Sequence, residues 1–134
     1  MAIRVQVVRA LLTKAVTLTD QGLFEEAHAL LDQITEHLEE GLPLELQVIV
    51  AWALVNKADV LGQLERHAEA LALCDQVVQL FDDSGEEVLR APVTGALLYK
   101  ARTLATQERF EDAYAYSKFA RVALRTANID YNRR

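Results

Sequence analysis

"LGQLERHAEALALCDQVV", residues 61–78, sets two runs of helical spacing around a polar corner and places the small Ala70 between bulky neighbours in the second run. The same alanine recurs 43 residues to either side, as Ala27 and Ala113, and each of the three follows an acid: Glu26, Glu69 and Asp112. The interval of 43 also relates Ala15, Ala58 and Ala101, each preceded by a lysine (Lys14, Lys57 and Lys100). It relates Leu11, Leu54 and Leu97 as well, and again Leu18, Leu61 and Leu104. Four columns across three blocks point to one structural unit repeated along the chain.

Within a block the spacing is that of a helix. Leu11, Ala15 and Leu18 stand at i, i+4 and i+7, and the later copies keep the pattern. After a short break at Gln21–Leu23, Leu64–Arg66 or Gln107–Arg109 comes a second apolar set: Ala27, Leu31 and Ile34; Ala70, Cys74 and Val77; Ala113, Ser117 and Ala120. Each block therefore reads as a helical hairpin, with its paired alanines where two backbones approach closely. A larger side chain there would push the helices apart, at a cost of about 1–3 kcal/mol. Phe24, His67 and Phe110 recur just past each break and are expected to pack into the core.

Six helices follow, over about 3–20, 23–40, 43–63, 66–82, 85–107 and 109–127, in repeats of about 1–42, 43–85 and 86–128 with a tail at 129–134. Gly41 ends the second helix in this reading and Pro43 lies in the first turn of the third. Ser84 and Glu87 have capping-box spacing, which starts the fifth helix at Ser84 and leaves Pro92 well inside it, where it should kink or break the helix.

The composition fits one all-α domain. Hydrophobic residues make up 51% and charged residues 25% of 134, enough for a packed core. No apolar run is long enough to span a bilayer. The N-terminal stretch "MAIRVQVVRALLTKAV" is broken by Arg4, Arg9 and Lys14, unlike a signal peptide. The single Cys74 cannot form an internal disulfide, and a cytoplasmic protein is expected. Charge is uneven: residues 1–88 hold 5 Lys/Arg against 16 Asp/Glu, a balance of −11, and residues 89–134 hold 9 against 4, or +5.

"LGQLERHAEALALCDQVV", "QGLFEEAHALLDQI" and "QERFEDAYAYSKFA" resemble three copies of the turn and second helix of the tetratricopeptide repeat. The usual unit of that family has 34 residues, so this chain is similar to a longer-period variant. The family's turn glycine is kept at Gly22 and replaced by Glu65 and Glu108. The lysine before each first-helix alanine departs from the family's apolar preference; these lysines are expected to lie along the hairpin with their ammonium groups in water.

The resemblance implies a right-handed α-solenoid of three antiparallel hairpins whose first helices line a concave groove. It further implies binding of a protein or peptide partner there, with no enzymatic activity and no cofactor. Carried onto this sequence, the groove positions are Arg9, Leu12, Thr13 and Val16; Trp52, Val55, Asn56 and Asp59; and Leu98, Tyr99 and Arg102. That wall suits a short amphipathic segment with an acidic group near the Arg102 end. Of the positions matching a clamp for chaperone C-terminal carboxylates (Leu12, Val16, Asn56, Gly95 and Tyr99), only Asn56 has the required residue type, which disfavours that ligand.

Other candidates for chemistry carry less. His28, Asp32 and Glu36 share a helix face but lack the companion ligands of a metal site, so a solvated surface explains them. Cys74 stands in a packing column, with no base in the sequence to activate it. Trp52 either covers the edge of the first hairpin or lies open as an aromatic anchor for a ligand. Tyr114, Tyr116 and Phe119 beside Lys118 and Arg121 permit nucleic-acid contact through the basic third hairpin, a reading that the acidic whole disfavours. Phe119, Val122 and Leu124 are expected to form an apolar strip at the end of the third hairpin, buried either by the rest of a longer parent chain or by self-association of a scaffold or homo-oligomer through its acidic and basic ends.

Overall fold

The computed structural model describes residues 2–36 and 42–106, together with Lys118 and Arg121. Among these residues there is no strand. The elements are α1 (Ala2–Asp20), α2 (Phe24–Thr35), α3 (Leu44–Gln63), α4 (His67–Phe81), a 3₁₀ turn (Glu87–Leu89) and α5 (Arg90–Thr106). Lys118 and Arg121 are helical and exposed, within the span expected for a sixth helix. The other positions of that span, including Phe110, Ala113, Phe119, Val122 and Leu124, lie outside the described residues, as do 37–41 with His37 and Gly41.

Each helix packs on the next along the chain, and α1, α3 and α5 also pack in succession. The alanine columns explain how closely they can do so. Ala15, Ala27, Ala58 and Ala70 are all completely buried, and Ala101 is nearly so. The second apolar sets, Leu31 with Ile34 and Cys74 with Val77, fill the same core, joined by Leu54, Leu61, Leu97 and Leu104. Phe24 and His67 are half-buried at the start of their helices. The imidazole thus serves as packing only in part, and its buried Nδ1 has no hydrogen-bond partner.

The corner at the centre of the opening stretch has a defined geometry. Glu65 takes a left-handed backbone conformation, φ 62°, and Gly22, 43 positions earlier, takes φ 78°. In both turns the next amide folds back over the helix end. Leu23 N donates to Leu18 O (2.9 Å) and Arg66 N to Leu61 O (2.8 Å). The left-handed residue itself donates three positions back, Gly22 to Thr19 O and Glu65 to Gly62 O (3.0 Å each). These paired bonds satisfy helix-end carbonyls that would otherwise lack partners. Arg66 then pairs with Glu69 on the first turn of α4 (2.7 Å).

Two expected boundaries are corrected. Pro43 is the residue before α3, not part of its first turn, and its carbonyl accepts from Leu46 N and Gln47 N (3.0 Å each). The Ser84 capping box does not form. Ser84 Oγ accepts from Glu86 N (3.2 Å), the 3₁₀ turn intervenes, and α5 begins at Arg90. Pro92 therefore falls in the first turn of α5, where a missing N–H leaves no hydrogen bond unmade, and the helix runs unbroken past it to Thr106.

Candidate functional site

The eleven groove positions fall on α1, α3 and α5, the three helices that pack in succession, and none of them is buried. Their side chains nevertheless do different things. Thr13 Oγ1 donates to Arg9 O (3.0 Å) and Asn56 Nδ2 donates to Trp52 O (2.8 Å), so both spend hydrogen bonds on their own helices. Leu12 and Val55 lie partly against the core. Val16 and Leu98 stay open to solvent at opposite ends of the row, 36% and 43% exposed. Arg9 and Asp59 complete the wall, the first exposed and the second half-buried.

The two aromatic residues sink toward glycines, and both are half-buried. The Trp52 ring lies over Gly95 of α5, so that a Cβ there would stand 3.7 Å from Cζ3 and 3.8 Å from Val55 Cγ1. Trp52 thus lines the seam between α3 and α5. Tyr99 on α5 crosses back to Gly62 of α3, where a Cβ would overlap the phenol oxygen and stand 3.1 Å from Cζ. Burial pushes the Tyr99 phenol above its ordinary value and the Asp59 carboxylate adds to the rise, while the Thr103 hydroxyl and Arg102 pull the other way. The Arg102 guanidinium sits 5.8 Å from the centre of the Tyr99 ring, within reach of a cation–π attraction.

The lysine column behaves differently from expectation. Lys57 of α3 pairs with Asp32 of α2, and Lys100 of α5 pairs with Asp75 of α4. The ammonium groups are therefore held by carboxylates of the preceding helix, with Lys14 alone of the column left exposed. Asp32 also approaches His28 Nδ1 (3.5 Å), so the His28–Asp32 face belongs to this helix seam and is not simply solvated. Asp32 and Asp75 stand 43 positions apart, as their lysines do, and that matching interval is the sequence signal for the pairs.

Gly62 and Thr103, which adjoin the Tyr99 phenol, carried no signal in the sequence. Their part depends on a neighbouring helix. Cys74 is buried, and burial, with the adjacent Asp75 charge, pushes its thiol up to about 12, far from a nucleophile's range. Among the described residues, no group of three His, Cys, Asp or Glu side chains is placed to hold a metal ion, and no helix is long and apolar enough to cross a membrane.

Residues 50–81 match the family model described as tetratricopeptide repeat. No curated protein and no solved structure matches the chain. The matched segment runs from within α3, through the Glu65 turn, to the end of α4, so the similarity to that family covers this pair of helices and the turn between them.

Proposed function

We propose that the chain is a non-enzymatic protein-interaction module, a right-handed α-solenoid of three hairpins (about 1–42, 43–85 and 86–128). It binds a peptide or helical segment of a partner in a groove lined by α1, α3 and α5. The observation that carries this reading is the row itself. On three successively packed helices none of the eleven groove positions is fully buried, and open Val16 and Leu98 accompany the half-buried Trp52 and Tyr99. Tetratricopeptide repeats act in general as protein-interaction modules, which supports the same reading. An amphipathic segment fits best, its apolar side on Val16, Val55 and Leu98 and its acidic group toward Arg102.

Selection from a displayed peptide library tests this. Wild type should enrich amphipathic acidic peptides, and Val16→Glu, Leu98→Glu and Arg102→Glu should each lose them with helix content unchanged. Tyr99 is a poor choice for the test because it also fills the space over Gly62. If all three variants bind the selected peptides as wild type does, the groove assignment fails. Self-association through an acidic N-terminal end has a local obstacle: α1 carries Arg4, Arg9 and Lys14 against the single acid Asp20.

A further inference from the structure

The inner helices show what the outer face of α1 is built to receive. Val50, Ala53 and Lys57 lie at i, i+3 and i+7 on α3 and so share one face. That face is fixed against α2 by the Lys57–Asp32 pair, and Val50 is 2% exposed. On α5 the same three residue types recur at the same spacing as Val93, Ala96 and Lys100, with Lys100 paired to Asp75 of α4 and Val93 4% exposed. α1 repeats the set as Val7, Ala10 and Lys14, yet here Val7 is 53% exposed and both other residues are open to solvent.

We propose that this face of α1 docks an amphipathic, acidic helix of a partner protein. The partner's apolar stripe covers Val7 and Ala10, and its carboxylate pairs with Lys14 as Asp32 and Asp75 pair with Lys57 and Lys100. Two copies of the chain stacked end to end do not meet this requirement. The residue 43 positions after Asp75 is Lys118, helical and exposed, so such a stack would bring one ammonium against another at Lys14. The proposal concerns a different surface from the groove and stands whether or not the groove takes a peptide.

The test uses the full chain and a fluorescent peptide of residues 66–82, whose α4 sequence already matches such a face, with a lactam bridge between exposed positions 68 and 72. Wild type is expected to bind it. Val7→Asp and Lys14→Glu are each expected to weaken binding about tenfold. A peptide carrying Asp75→Lys should bind wild type poorly and recover on the Lys14→Glu chain. Both substituted chain positions are exposed, so the variants should keep wild-type helix content by circular dichroism. The proposal is overturned if the peptide does not bind, if binding ignores Val7 and Lys14, or if it is lost with Val16→Glu and Leu98→Glu instead. It is equally overturned if wild type self-associates in sedimentation and Val7→Asp dissolves the oligomer, because a second copy would then cover the face.

Discussion

Three residues of α3, its following turn and α5 respond oppositely to similar substitutions. Gly95 lies inside α5 with ordinary van der Waals room for a methyl group beside Trp52. Gly95→Ala should therefore stabilise the chain by about 0.5–1 kcal/mol, through the helix preference of alanine alone. Gly62→Ala gains the same preference but meets the Tyr99 hydroxyl, so its net effect should be a loss of about 1 kcal/mol. In a Tyr99→Leu background the loss should turn into a gain, and urea unfolding of the four proteins measures that coupling. A spectroscopic sign accompanies it: displaced from its buried seat, the Tyr99 phenol should ionise nearer its ordinary value in Gly62→Ala. Glu65 supplies the third case. A side chain held at φ 62° is strained, and Glu65→Gly should raise the urea midpoint by an amount equivalent to about 0.5–1 kcal/mol.

At the scale of the elements, helices are joined by two devices: a left-handed turn after α1 and after α3, and a lysine–aspartate pair between α2 and α3 and between α4 and α5. A double-mutant cycle on Asp32→Asn and Lys57→Met should give a coupling of about 0.5–1 kcal/mol that shrinks in high salt, because both side chains keep some solvent exposure. The same cycle on Asp75 and Lys100 should match it, and zero coupling in both would reduce the pairs to surface decoration. The turns were legible in the sequence because a break in helical spacing and a small or polar residue coincide there. The alanine columns were legible because close packing leaves one residue type. The ion pairs were not legible, although both partners recur at the same interval, because helical spacing relates a lysine only to residues of its own helix and its acid stands on another. Pro92 misled for a related reason. Ser84 and Glu87 have the spacing of a cap, but the Ser84 hydroxyl bonds Glu86 N, and the helix start moves past the 3₁₀ turn. The eleven candidate positions were legible as a row of unburied residues on α1, α3 and α5. How far each of them is exposed was not, since that depends on Gly62 and Gly95 letting Tyr99 and Trp52 sink between helices.

For the whole molecule, a buried thiol and a half-buried phenol tie stability to alkaline pH. Folding raises the Cys74 thiol from an ordinary value of 9.0 to about 12, chiefly by burial, and raises the Tyr99 phenol for the same leading reason. A raised value means that the fold prefers the protonated form. The contribution is then complete below the unfolded thiol's value and is lost as pH climbs from 9.0 toward about 12. Between pH 8 and pH 11 the native state should lose about 2–3 kcal/mol through Cys74 alone, a large share of a small domain's stability. Cys74→Ala removes that titration while leaving Tyr99 in place. The variant starts less stable at pH 8, since a buried side chain has been cut back, but its loss on going to pH 11 should be smaller than that of wild type by the same 2–3 kcal/mol, about. Urea unfolding curves of both proteins at the two pH values decide the matter. Parallel losses would mean that the thiol meets water in the native chain, and with it that the α4 core is looser than the complete burial of Ala70 and Val77 requires.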